Sequence, residues 1–551
     1  MKVNGITKTN PIDQAEALNN QFHSAFTTPK PLKLSHICEL NKLKSQDHKF
    51  QMHDIIITPE GTSKLLKNLN PTKAIGPDKI SPHFLKEVHD EISPMISDLF
   101  QSSVNTGTVP TDWREAIVTP VFKKGAKSKP ENYRPISLTC ILSKVLEHII
   151  VSSIMNHLDN HNSLYSLQHG FRSKLSCETQ LLTFTQEIFD SMASGKQTDV
   201  AVMDFSKAFD KVDHQRLILK LKRMGINNKT SNWIGAWLSH KFQRVVVDGH
   251  TSNSCPVLSG IPQGSVLGPC LFLICINDMS DTLKSNVRLF ADDTIVYLTI
   301  SALTDCHTLQ SDLHKLEKWE EEWLMSFNPD KCEIIHISRK QKPIIFQYTL
   351  HNQVLKSTNK AKYLGVTITN DLTWNHHINN ITNKANASLR FIKRNVKTNS
   401  IKTKELAYKT YVRPKVEYCS VVWDPWQKQQ INKIEMIQRR AARYTLNQYS
   451  YHSSVSAMLQ HLCWPTLQQR RNLASVTMLC KLQHQLVSIS NLHYLVPSRD
   501  HKFIQPFSPT NYHLYSFFPR TIRLWNSLPN QVANSPDLDA FKSGAQSFLY
   551  C

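Results

Sequence analysis

A mixed α/β fold of the α+β kind is predicted for this chain of 551 residues by three features. Amphipathic stripes at three- and four-residue steps alternate irregularly with short runs rich in β-branched and aromatic residues. Beyond Asn370 the pattern becomes almost wholly helical. No repeat of fixed period and no low-complexity tract occurs, which sets aside solenoids, propellers and stalk-like chains. The length allows several packed units at roughly 100–200 residues each. With 40% hydrophobic and 20% charged residues, 15 Gly and 26 Pro, the composition is globular and neither collagen-like nor disordered.

The elements follow in order. Leu138, Ile141, Leu142, Val145, Leu146, Ile149 and Ile150 lie on one helical face, predicting a helix over Leu138–Leu158. Strands are predicted at Asp199–Asp204, Arg244–Val247, Val287–Phe290 and Thr294–Leu298, the last two as arms of a hairpin. Leu309, Leu313, Leu316, Trp319 and Trp323 form a second helical stripe, with Asn328-Pro329 as its stop, since proline restricts the residue before it. Strands follow at Glu333–Ile337 and Tyr363–Thr369. Further on, Ile378, Ile381, Ala385, Leu389 and Ile392 mark one core-facing helix and Ile434, Ile437 and Ala441 another. Lys433, Arg439, Arg440 and Arg443 cluster on the opposite face of the latter; for each of them singly, a solvated surface is the simpler reading.

Net charge is +21, and it is uneven: from Ile381 onward there are 23 Lys and Arg against seven Asp and Glu. Such a surplus favours a polyanionic partner, because cations that neutralise phosphates release counterions. The apolar run around Leu271–Ile276 is far shorter than the roughly 18 residues a membrane helix needs, so no membrane association is expected. Met1-Lys2-Val3-Asn4-Gly5 lacks the apolar segment of a secretory signal, which predicts an intracellular protein, nuclear or cytoplasmic, with reduced cysteines. The 12 Cys include no C-x-x-C pair and the 25 His fall in no ligand spacing with them, so no zinc knuckle is expected.

Three acids stand apart by position. Asp204 closes the apolar run Val200-Ala201-Val202-Met203, and Asp292-Asp293 lies between the arms of the expected hairpin. An acidic pair alone is ordinary turn chemistry, and Asp210 and Asp213 serve equally well as local caps or ion-pair partners. If the strands pair, however, Asp204, Asp292 and Asp293 meet at one sheet edge, where their repulsion calls for divalent cations. Two Mg²⁺ ions, with Mn²⁺ as a substitute, would suit an in-line nucleotidyl transfer.

Read in order, Asp204-Phe205-Ser206-Lys207-Ala208-Phe209-Asp210, Gly260-Ile261-Pro262-Gln263-Gly264-Ser265 and Phe290-Ala291-Asp292-Asp293 resemble the A, B and C motifs of reverse transcriptases. The resemblance is to the polymerases of non-LTR (LINE-type) retrotransposons, of the jockey and CR1 group. It extends upstream through Asn70-Pro71-Thr72-Lys73-Ala74 with Gly76-Pro77-Asp78, Phe122-Lys123-Lys124-Gly125, Asn132-Tyr133-Arg134-Pro135-Ile136-Ser137-Leu138 and His169-Gly170-Phe171-Arg172. Downstream, Asn328-Pro329-Asp330-Lys331-Cys332 is similar to motif D and Tyr363-Leu364-Gly365-Val366 to the strand that supports a primer end. The blocks run from Leu69 to Thr369, and their order is far more specific than any one of them.

The resemblance implies an RNA-directed DNA polymerase shaped as a right hand. It makes Asp204, Asp292 and Asp293 the metal-binding catalytic carboxylates. It makes Phe209 a steric gate against a ribose 2′-hydroxyl, where an isolated Phe would be core. It sets Gln263 and Gly264 in a nucleotide-binding loop, a place where glycine admits close backbone approach. Arg134 and Lys123, with Lys124 as competitor, are the implied triphosphate cations, and Lys331 the implied acid for pyrophosphate, against a bland reading as surface lysines.

Template RNA, primer DNA and dNTPs are the implied partners. The expected organisation is an N-terminal helical extension at 1–68, fingers at 69–198, a palm at 199–369 within a polymerase core of 115–369, a helical thumb at 370–450 and a basic C-terminal region at 451–551. No endonuclease is expected ahead of Leu69, so target nicking would be supplied separately. An RNase H site is not expected either, since only Asp500, Asp537 and Asp539 follow Glu435. A decayed or repurposed nucleic-acid binder is the alternative, disfavoured by the intact acids. A group II intron polymerase ranks last.

Overall fold

The computed structural model describes residues 1–3, 5–38, 51–489, 492–499 and 501–550. Part of the expected N-terminal extension (39–50), Asp500 and Cys551 lie outside them. The mixed α/β class is observed. The strands that matter below are, in chain order, β1 (Glu115–Phe122), β2 (Tyr133–Leu138), β3 (Gln197–Met203), β4 (Lys241–Val247), β5 (Asn286–Phe290), β6 (Asp293–Ile300), β7 (Glu333–Ile337), β8 (Lys360–Tyr363) and β9 (Val366–Thr369). The helices are α1 (Pro11–His23), α2 (Cys177–Ala193), α3 (Leu267–Ile276), α4 (Asn375–Asn395), α5 (Ile401–Tyr411) and α6 (Lys428–Leu446).

The chain divides into two units threaded through one another in sequence. The first holds Met1–Ser166, Phe205–Thr282 and His314–Asn328. Its sheet sets β1 between β2, antiparallel, and β4, parallel. Helix α1, capped by the Asn10 side chain on the Ile12 N–H, buries Ala15, Leu18 and Phe22 against Val118 and Val245 of that sheet. Helix α3 is buried almost all round, as its uninterrupted apolar sequence requires.

The second unit holds Leu167–Asp204, Leu283–Leu313 and Pro329–Cys551. Its five-stranded sheet runs in the order Lys356–Ser357, β7, β3, β6, β5, so β3 is central and flanked by antiparallel neighbours on both sides. That position explains why β3 is buried along nearly its whole length, its Val200–Met203 end being apolar. Helix α2, with a Ser176–Thr179 capping box, packs Leu181, Phe184 and Ile188 into a core shared with Val200, Ile295, Tyr297 and Ile335. The helical remainder joins the same core through Ile378, Ile381, Ala385, Leu389 and Ile392 of α4 and Ile434, Ile437 and Ala441 of α6, the two predicted stripes. Among the described residues no helix is long and apolar enough to cross a membrane.

Three expectations need correction. The helix predicted from Leu138 begins at Ile141, because Leu138 is the last residue of β2 and pairs with Ile117. The helix over Leu303–Trp323 ends well before Asn328-Pro329, at Leu324, whose φ of 56° breaks the helical path. The run Tyr363–Thr369 is not one strand: Leu364 (φ 43°) and Gly365 (φ 87°) turn the chain back so that β8 and β9 pair with each other. A Cβ on Gly365 would also stand 3.0 Å from the Tyr418 ring.

Candidate active site

The β3–β6 ladder ends at the pair Met203 and Thr294. One residue further along each strand stand Asp204 and Asp293. Across the hairpin Asp293 pairs with Phe290, leaving Ala291 and Asp292 as a two-residue turn. Ala291 takes φ 52°, the left-handed backbone that such tight hairpin turns require. Backbone register alone therefore brings Asp204, Asp292 and Asp293 to one end of the sheet, all exposed. Lys331 Nζ sits 3.3 Å from Asp204 Oδ1, and the Asp204 N–H points to Cys332 Sγ at 3.5 Å.

The side chains are less converged than the backbone. Among the described residues no three His, Cys, Asp or Glu side chains stand together as a metal site. The donor chemistry nonetheless fits a hard divalent cation, since the set is all carboxylate oxygen. The ammonium of Lys331 already occupies a cation position beside Asp204.

The hairpin turn is held from beneath. Gln168 Oε1 accepts the N–H groups of Gly170 (2.8 Å) and Ala291 (3.0 Å). Segment 167–169 hydrogen-bonds to β5 through the His169 N–H on the Leu289 carbonyl and the Leu289 N–H on the Leu167 carbonyl. A Cβ on Gly170 would lie 2.4 Å from the Ala291 nitrogen, so only glycine fits there. Deeper, the fully buried Arg288 of β5 donates to Tyr297 Oη (2.8 Å) and Glu187 Oε1 (2.5 Å), and the Tyr297 hydroxyl donates to Glu187. Burial, first among the causes, pushes the Tyr297 hydroxyl above its ordinary range.

The remaining predicted site residues lie in the first unit. Phe209 stacks on Phe272 of α3, centroids 4.4 Å apart and 15° between planes. Its carbonyl accepts the Ile261 N–H (2.9 Å), and the Ser137 N–H of β2 donates to the Gln263 carbonyl (2.7 Å). Gly264, at φ 110°, has room for no side chain, because a Cβ would meet the Ser137 carbonyl at 2.9 Å. Gln263 Nε2 donates to Asp210 Oδ1 at 3.0 Å; burial pushes that carboxyl up while the Gln263 hydrogen bond pulls it down. Asp213 caps the following helix through the Arg216 N–H (2.9 Å), the local role open to it from the sequence.

Lys123 continues β1, its N–H donating to the Asn132 carbonyl (2.8 Å), and Arg134 pairs with Val121. Strand alternation from the Val121–Arg134 pair therefore sets Lys123 and Arg134 on one face of the ribbon, while Lys124 lies in the bend beyond it. Lys123, Lys124 and Arg134 are all exposed. Gln168, Glu187, Arg288 and Tyr297 were not indicated by sequence reasoning. The one available signal was the glutamine directly before His169-Gly170.

Residues 122–368 match the model of the family described as reverse transcriptase (RNA-dependent DNA polymerase). The RNA-directed DNA polymerase from mobile element jockey of Drosophila melanogaster is 26% identical over 447 residues, covering 78% of this chain and 48% of that protein. The probable RNA-directed DNA polymerases from transposon BS and transposon X-element of the same organism are 27% and 26% identical. They cover 70% and 80% of this chain, and 44% and 49% of those proteins. The chain thus spans about half the length of the curated relatives it matches. The acid-tipped hairpin lies inside the segment that matches the reverse transcriptase model, in a chain similar to the RNA-directed DNA polymerase from mobile element jockey.

Proposed function

We propose that the chain is an RNA-directed DNA polymerase, joining dNTPs to the 3′-hydroxyl of primer DNA on template RNA and releasing pyrophosphate. The observation that carries this reading is the register of β3 and β6, which sets Asp204 beside Asp293 next to the Asp292 turn. Asp204, Asp292 and Asp293 are the side chains that would hold two Mg²⁺ ions, or Mn²⁺ in their place. When bound there, such ions acidify the attacking hydroxyl and offset charge on the departing pyrophosphate. Lys331, attracted to Asp204 in this structure, gives a proton to that leaving group. Phe209, held flat by Phe272, blocks a 2′-hydroxyl, and Gln263, fixed by Asp210, hydrogen-bonds the nucleotide. Arg134 and Lys123 take the triphosphate, the first by its planar fork.

In this reading residues 69–198 are fingers, 199–369 palm, 370–450 thumb and 451–551 the basic C-terminal region, with 1–68 an extension and 115–369 the polymerase core. Lys433 and Arg440 on the exposed face of α6 hydrogen-bond Asn379 and Asn386 of α4. These partners are neutral amides, so both charges stay available to the phosphates of a template-primer duplex.

The test is incorporation of dTTP on poly(rA)/oligo(dT) with Mg²⁺ by the purified protein and by Asp292→Asn. Incorporation by the first alone, abolished by chelation, is expected. Binding of the duplex without incorporation would favour a repurposed nucleic-acid binder, and equal incorporation by both proteins would remove the site assignment.

A further inference from the structure

A cavity of about 390 Å³ opens where α4 ends, α5 begins and α6 ends. Lys393, Lys397, Lys404, Asn399, Asn447 and Tyr449 are among the residues that line it. Lys404 is only 6% exposed, yet among the described residues no carboxylate lies within ion-pair reach of it; its ammonium stands 5.1 Å from the Tyr444 ring centre. Lys393 Nζ is 5.9 Å from the same ring and 5.6 Å from that of Tyr449. Burial, and then repulsion from Arg440, hold the Lys393 ammonium below its ordinary range. The neighbouring acid, Glu405, is engaged by Lys409 and by the Trp464 indole. The sequence supplies no other: no Asp or Glu occurs between Asp371 and Glu405, or between Glu435 and Asp500.

Lys404 is a buried residue whose ammonium, lining the cavity, meets the Tyr444 ring but no carboxylate among the described residues, an arrangement that favours an anionic occupant. The cavity is also pre-shaped. The Tyr444 hydroxyl donates to the Val396 carbonyl at 2.9 Å, fixing the turn that carries Lys397, and Ser400 caps α5 through the Thr403 N–H. At the mouth Tyr449 is 57% exposed, a flat ring beside the lysines. Volume and charge suit one nucleotide. An aromatic face beside cations is how unpaired bases are held, since a base inside a duplex has no free face to offer.

We infer that this cavity binds one nucleotide of a single nucleic-acid strand, its phosphate held by Lys393, Lys397 and Lys404 and its base laid on Tyr449. The inference rests on the polymerase reading only for the class of its occupant. It differs from the proposed duplex track on α6, whose exposed cations have amide partners.

The test is fluorescence anisotropy of a short single-stranded RNA, and of an abasic strand of equal length, over a range of salt in EDTA. Lys404→Met and Lys397→Gln are each expected to weaken RNA binding about three- to tenfold and to lower the salt slope by about 0.7. Tyr449→Ala is expected to weaken the RNA about fivefold or more while leaving the abasic strand unchanged. Lys397 is exposed in a loop, so its variant reports even where Lys404→Met fails to fold. Unchanged affinity and slope in Lys397→Gln overturn the inference, as does equal loss of both strands in Tyr449→Ala. So does inorganic phosphate at micromolar concentration displacing the RNA, the mark of a simple anion site. Wild-type protein that incorporates no dTTP yet shows this pattern sinks the polymerase reading and leaves the site standing; active protein with unaltered variants does the reverse.

Discussion

The side-chain carbonyl of Gln168 accepts the backbone N–H of Ala291 at 3.0 Å, tying the residue before Asp292 to a segment more than a hundred positions upstream. With its second bond to the Gly170 N–H, Gln168 locks a turn whose first residue has an unfavourable φ. Gln168→Met, similar in shape but without an acceptor, is expected to lower kcat about 10- to 100-fold with little change in KM for dNTP, and to raise the Mg²⁺ concentration needed for half activity. Gln168→Glu keeps the acceptor and should recover most of the rate. A parallel loss in both variants would assign Gln168 to packing alone.

Arg288 is fully buried, and its charge is met by Glu187. Glu187→Ala strands that guanidinium, and urea unfolding should show a loss of about 2–4 kcal/mol. The double variant Arg288→Met, Glu187→Met removes both charges and should be the milder change. Equal destabilisation by single and double variants would contradict this.

Stability should fall in mild acid for an identifiable reason. His377, tilted against the Trp423 ring, accepts the Thr367 N–H on Nδ1 at 3.2 Å and is held at about 4, first by burial and then by Lys384 and Lys362. A histidine depressed in the folded state contributes stability that is complete above its unfolded value of about 6.5 and is lost as pH falls through the folded value. One such group gives at most about 1.4 kcal/mol per pH unit in that window. His169, buried and held at about 3, adds a second. His214 is depressed as well, first by burial, so His377→Gln should remove only part of the slope between pH 6.5 and 4, up to about 1.4 kcal/mol per pH unit, and a slope equal to wild type would exclude His377 as a source.

Phe209 lies flat on Phe272, so its ring cannot swing without losing that stack. Phe209→Val is expected to cut discrimination between dTTP and UTP by about 100-fold while dTTP incorporation persists. Unchanged preference, in protein that still incorporates dTTP, would place the ring in the core only.

Much of the site was legible because strands write themselves locally. The alternation and turn residues around Asp292-Asp293 define a hairpin, and Asp204 follows an apolar run that only a central strand needs. Strands β1 and β2 were not legible. Pro120 and Pro135 face each other there and mask the pattern, and β2 is followed at once by the helix that begins at Ile141. The run Tyr363–Thr369 looked like one strand because a tight turn at Leu364-Gly365 needs only one glycine to reverse the chain. Gln168 and Arg288 were hidden for another reason: their partners Ala291 and Glu187 are distant in sequence, and no periodicity records such a contact.

The central claim is that Asp204 and Asp293, one step beyond the last ladder pair of β3 and β6, act together. Single-turnover dTTP incorporation by Asp204→Asn, Asp293→Asn and the double variant tests it most directly. Groups that work as a unit lose their effect together, so each single change should lower the rate by about 10³-fold or more and the double change should lower it little further. A single variant within a few-fold of wild type, or losses that multiply in the double variant, would contradict the account.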